Sequence, residues 1–164
     1  VWPGIVLAIL TAIYTAFLFA QAKGRDFWQS PLLPFHMLVH AVIAGPAAFL
    51  ILGVAGLSVP MGTMSGVLLA GLIANVLILG AEITVTHPTE DAAEVAHMIS
   101  SGRYSSLFWG GVMGAGNLVP IILLGYGVVT GGGFIGAVAG ILALVGMYAA
   151  EQIWVEAPQL IPNA

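Results

Sequence analysis

Long apolar stretches alternate with short polar breaks along the whole chain. A helix crossing about 30 Å of hydrocarbon needs about 20 apolar residues at 1.5 Å each. Five segments meet that length, at about 2–20, 34–57, 63–85, 107–126 and 134–154. None shows the alternation over about ten residues that marks a barrel strand. Most breaks are brief: Lys23-Gly24-Arg25-Asp26, Ser58-Val59-Pro60 and Thr130-Gly131-Gly132-Gly133. The break from His87 to Ser106 is long enough for an element of its own. Thr89 is placed to cap a short helix, with Glu90 and Asp91 in its first turn and Gly102 past its end. Ala92, Val95, Ala96 and Ile99 share one face of that helix, which predicts an amphipathic element along the membrane interface.

Composition turns this pattern into a class. The chain has 164 residues, of which 60% are hydrophobic and 6% charged, with 22 glycines besides. Ordinary soluble domains are about 25% charged, and a soluble domain of this size cannot hide so much apolar surface. The fold class is therefore an all-α integral membrane protein. It is a bundle of about five transmembrane helices plus one short cytoplasmic amphipathic helix, and residues 1–164 form a single transmembrane helical domain. The absence of cysteine excludes disulfides, thiolate catalysis and iron–sulfur clusters held by this chain. Three Lys and Arg in total form no basic patch, so nucleic acid is excluded as a partner and the lipid bilayer is the surrounding medium.

Those three positive charges set the topology. Lys23, Arg25 and Arg103 fall in the first and third connections, on one side of the bundle, and the positive-inside rule makes that side cytoplasmic. The C-terminus is then cytoplasmic and the N-terminus outside. Trp28, Tyr104, Trp109 and Trp154 lie near span ends, where interface aromatics belong. A chain that opens on Val1, outside and without a leader, leads to the expectation of an odd number of preceding spans.

Candidate chemistry is confined to a few polar side chains inside spans, each weighed between a functional pathway and plain structural packing. Glu82 lies one turn inside the cytoplasmic end of the third span, and Asn75 lies seven residues earlier on the same face. They are read as a proton relay or a quinone hydrogen-bond site, against interhelical hydrogen bonding or a carboxylate at the boundary. His36 and His40 open the second span four residues apart on one face, a spacing that one metal or one proton path could use. His36 is read as an interface residue, while His40, one turn deeper, is the proton-path candidate. A bis-histidine haem takes its ligands from opposite sides of the iron, so no haem is expected here. Asn117 and Pro120 interrupt the fourth span, where a kink would free carbonyls to line a polar cavity. Glu151, Gln152 and Glu156 are read as solvated at the end of the fifth span, and Glu90, Asp91, Glu94 and His97 as a solvated helix face. No metal site is assigned and no catalytic residue is named. Glu82, His40, Asn75 and Asn117 stand as proton-path candidates. Glycines four apart, at Gly62 and Gly66, Gly110 and Gly114, and Gly132, Gly136 and Gly140, are read as close helix-packing faces.

Two stretches carry a family resemblance. Tyr14 to Pro34 reads YTAFLFAQAKGRDFWQSPLLP, and the stretch Glu82 to Pro120 has E-x4-H, an acidic helix and then SGRYSSLFWGGVMGAGNLVP. Both resemble the NrfD/PsrC family, the membrane subunits of polysulfide-reductase-like complexes, which are related to the membrane subunits of alternative complex III. The resemblance implies the last five helices of an eight- to ten-helix protein, with three spans upstream. It implies a multi-pass subunit of the bacterial inner (plasma) membrane that exchanges electrons between the quinone or menaquinone pool and an iron–sulfur subunit. That subunit would be paired with a molybdopterin or multihaem cytochrome subunit, and proton transfer would be coupled to the electron exchange. No cofactor would be covalently bound. In the family the quinone site is built largely by the first helical bundle, so no quinone residue is carried over. His36 and His40 depart from the more apolar pattern expected after SPLLP. The alternatives are a proton-conducting or transporter-like helix bundle and a purely structural membrane anchor.

Overall fold

The computed structural model describes residues 2–130 and 133–162, and no strand occurs among them. Gly131 and Gly132 of the fourth connection lie outside the described residues. The helices are α1 (Trp2–Ala20), α2 (Leu33–Val54), α3 (Met61–Thr84), α4 (Glu90–Ser100), α5 (Val119–Thr130) and α6 (Gly133–Glu156). A π-helical segment, Leu107–Leu118, runs directly into α5, and short 3-10 turns cover Asp26–Gln29 and Ala157–Leu160. Five helical stretches are long and apolar enough to cross a membrane, beginning at Trp2, Leu33, Met61, Leu107 and Gly133. They match the expected spans to within a few residues at each end.

The connections follow from local chemistry. Gly24 and Gly56 take positive φ values of 90° and 106° in the turns after α1 and α2, where a side chain would be strained. The Thr89 hydroxyl accepts the Ala92 N–H at 3.3 Å and caps α4 as expected. At the other end, the Ser101 and Gly102 N–H groups both donate to the His97 carbonyl at 2.9 Å. A Cβ on Gly102 would stand 2.8 Å from the Met98 Cα, so the close turn requires glycine. Ala92, Val95, Ala96 and Ile99 are all buried, while Glu90, Asp91, Glu94 and His97 are exposed. The predicted amphipathic face is real. It packs against the 3-10 turns and the ends of the long helices.

Helix α2 is central, lying against α3, α6 and α1, while α6 also packs on the π-helical segment and α5. Helix α1 is peripheral, with Ala16 its one buried residue. The core divides along the bundle axis. Toward the end that carries Lys23, Arg25 and Arg103 it contains Phe27, Phe108, Trp154, Ile153 and the buried face of α4. Toward the other end it is aliphatic, built from Ile43, Ala47, Leu50, Leu68, Leu72, Leu124, Ala139 and Ala143.

Glycine packing agrees with expectation in part. A Cβ on Gly136 would meet Leu50 and Ser65, and one on Gly140 would meet the Ala47 backbone, so α6 approaches α2 through these positions. Gly62, Gly66 and Gly110 face open space instead. The tightest approach is Gly116 of the π-helical segment against Gly146 of α6, where a Cβ on either would overlap the other's backbone.

Candidate functional site: a buried histidine–carboxylate cluster

Three helices bring four titratable side chains together at the basic end of the bundle. The first two turns of α2 supply His36 and His40, the last turn of α3 supplies Glu82, and α6 supplies Glu151. His36 Nδ1 lies 2.8 Å from Glu82 Oε2, and His40 Nδ1 lies 2.6 Å from Glu151 Oε1. One proton is shared across each contact, carried by the nitrogen or by the oxygen. The two imidazoles are edge to face with centroids 4.2 Å apart, so the pairs form one cluster rather than two isolated contacts.

Burial is graded across the cluster. The His36 side chain has no solvent exposure and that of Glu82 has 3%, whereas the Glu151 side chain is 34% exposed. Glu151 lines a narrow crevice with Phe19, Trp28, Met37 and Val155. Trp154 lines the same crevice: its indole lies edge-on to His36 with centroids 5.2 Å apart, and Phe27 and Phe108 pack against it. The Trp28 indole N–H donates to the Trp154 carbonyl at 2.8 Å, and an Arg25 guanidinium N–H donates to the Ile161 carbonyl at 2.7 Å, which ties the first connection to the C-terminal turn. Each imidazole keeps an Nε2 atom that is buried and has no protein partner.

A second polar layer lies deeper. Asn75 precedes Glu82 by seven residues, which is about 10 Å along the helix axis. Its Nδ2–H donates to Asn117 Oδ1 at 3.0 Å, and Asn117 Nδ2–H donates to the Val112 carbonyl at 2.8 Å. Both side chains are 2% exposed, and Asn75 Oδ1 has no partner. The wider π-helical turn underlies this layer. The Val119 N–H reaches back five residues to the Gly114 carbonyl, and Pro120 follows at once. The irregularity in the fourth span is therefore a widened helix before Pro120, with the Asn117 side chain satisfying a backbone carbonyl.

Several expectations are corrected here. His36 is no interface residue but the most buried member of the cluster, because the α3 terminus delivers Glu82 onto it. Glu151 keeps the partial exposure expected at a span end and is in addition the partner of His40. Trp154 is 3% exposed and belongs to the core, while Trp109 does sit outside, 51% exposed, donating its indole N–H to the Ser100 carbonyl. Asn75 and Glu82 share a face of α3 yet have different partners. Of the four proton-path candidates, Glu82 and His40 join the titratable cluster, and Asn75 and Asn117 form the separate amide pair.

Fold and site together define a polytopic helical membrane protein with a buried ionisable cluster near one membrane boundary. The family model described as polysulphide reductase, NrfD, matches residues 1–163. The chain belongs to the NrfD family. It is similar to a polysulfide reductase polypeptide of Wolinella succinogenes, with 29% identity over an alignment covering 85% of this sequence and 49% of the relative. It thus spans about half the length of that curated relative. No solved structure matches.

Proposed function

We propose that this chain is part of the membrane subunit of a quinone-linked respiratory oxidoreductase complex. In this reading the subunit exchanges electrons between the quinone or menaquinone pool and an iron–sulfur partner, which connects to a molybdopterin or multihaem cytochrome subunit. The complex lies in the bacterial inner membrane with the basic end and the C-terminus cytoplasmic, as the placement of Lys23, Arg25 and Arg103 supports. The reading assigns no haem to this chain: His36 and His40 lie on one face of one helix and each is engaged by a carboxylate, an arrangement unsuited to bis-histidine ligation.

The observation that carries the reading is the buried pairing of two histidines with two carboxylates in a member of the NrfD family. Quinone chemistry moves protons with electrons, so a quinone-linked subunit needs a route for them. Glu151, partly exposed, is the point of exchange with the cytoplasmic side. The proton shared by Glu151 and His40 passes between the adjoining imidazoles, whose centroids are 4.2 Å apart and whose Nε2 atoms have no protein partner, and reaches Glu82 through His36. Asn75 and Asn117 lie about two helical turns deeper, as a separate amide pair beyond the end of this relay.

The test is purification of the native complex in mild detergent, with subunits identified by mass spectrometry and quinol-linked turnover assayed. An iron–sulfur subunit that co-purifies with quinone-dependent activity is expected. A complex that lacks a redox subunit and still conducts protons would replace this reading with the proton-conduit or transporter one.

A further inference from the structure

We infer that His36, His40 and Glu151 form a binding site for a divalent transition ion of the zinc type, with Glu82 as a positioning residue behind His36. One donor atom from each of the three lies within 4.8 Å of the other two. In a tetrahedral site with ligand bonds of about 2.0–2.2 Å, donors stand about 3.4 Å apart. Donor separations of up to 4.8 Å therefore close by as much as about 1.4 Å, through rotation of the clustered side chains, of which Glu151 is the partly exposed one. Nitrogen and carboxylate donors suit zinc and its neighbours and are poor company for a magnesium or calcium ion, which prefers all-oxygen shells.

Two further observations point to a ligand. Both imidazoles bury an Nε2 atom with no partner, a state that native interiors rarely leave unresolved. His36 is also held at Nδ1 by a carboxylate, the arrangement that fixes the ring orientation of metal-bound histidines. The crevice that Glu151 lines brings that member of the site to the surface. Binding needs no redox step: the Nε2 lone pairs of His36 and His40 and a Glu151 carboxylate oxygen take the ion, each imidazole keeps its Nδ1 contact to its carboxylate, and any proton held at Nε2 leaves to solvent, so affinity falls as pH falls. An occupied site also holds the proposed proton route shut. That consequence alone rests on the function proposed above, and measuring binding in the absence of turnover separates the two.

The experiment uses the intact detergent-purified complex, equilibrated with buffered micromolar Zn2+, with zinc counted by element-specific mass spectrometry and its ligands read by zinc-edge X-ray absorption. The expected result is one zinc more per complex than in the His40→Asn/Glu151→Gln double variant, with imidazole scattering in the wild-type spectrum. Glu82→Gln should weaken binding about tenfold or more. Glu94→Gln, on the exposed face of α4, should leave it unchanged. An equal zinc count in the double variant, or a wild-type spectrum without imidazole, overturns the site. The wild-type spectrum decides the matter even if the double variant fails to assemble. Zinc bound as expected with no effect on proton uptake would keep the site and remove only the relay.

Discussion

The two halves of this bundle solve the same packing problem with different materials. Toward the basic end, α2, α3 and α6 enclose His36, His40 and Glu82 under an aromatic cover of Phe27, Phe108 and Trp154. Toward the other end the same helices meet through Ile43, Leu50, Leu68, Leu72 and small residues, with Gly136 and Gly140 letting α6 lie close on α2. The aliphatic half has no ionisable side chain among its described core residues, so helix approach and dispersion contacts hold it. The aromatic half buries ionisable groups that a lipid-facing helix would exclude, and each is tolerated because it has a partner on another helix. The difference teaches that burying ionisable groups takes partners on facing helices, whereas the aliphatic end is held by close helix approach.

The largest expected effect breaks the rigid framework between the halves. Gly146→Leu places a side chain into the Gly116 backbone and should destabilise by about 3 kcal/mol or abolish assembly. The check is the fraction of intact complex after graded heating in detergent. Gly66→Ala, which meets open space, should leave it unchanged. Next comes the cluster. Glu82→Leu leaves His36 buried without a partner on either nitrogen and should destabilise by about 1–3 kcal/mol, whereas Glu82→Gln keeps an acceptor and most of the stability. Thermal unfolding of the two variants side by side measures that gap. In the amide layer, Asn117→Leu strands Asn75 and should cost about 1–3 kcal/mol, while the Asn75→Leu/Asn117→Leu double variant should recover part of the loss. The smallest effect lies outside the spans: Thr89→Ala removes the α4 cap, worth about 1 kcal/mol, and should appear as faster amide exchange in Glu90–Ser100.

Much of the architecture was legible in the sequence because a membrane crossing imposes a length and a polarity that the chain must show. The α4 helix was legible for a second reason: its cap, its acidic first turn and its apolar face all agree locally. The pairings of the cluster were not legible. His36 and Glu82 are 46 positions apart and His40 and Glu151 are 111 apart, and spacing within one helix says nothing of which neighbour will face it. Burial of His36 depends on where the ends of α3 and α6 arrive, which is a tertiary outcome. The same holds for Gly116 and Gly146, whose contact lies between helices and leaves no periodic trace in either. Glu82, His40, Asn75 and Asn117 could be singled out because a polar residue in an apolar span is conspicuous. Glu151 could not, because a carboxylate near a span end is ordinary.

The central claim, that the histidine–carboxylate cluster carries protons for a quinone-linked complex, is tested most directly by one comparison. Wild-type and Glu82→Gln complexes are reconstituted in vesicles and proton uptake is recorded during quinol-linked turnover. The account predicts that Glu82→Gln assembles normally, binds its partners and takes up protons at least about tenfold more slowly. Wild-type turnover with unchanged proton stoichiometry in Glu82→Gln would contradict it and leave the cluster a structural device.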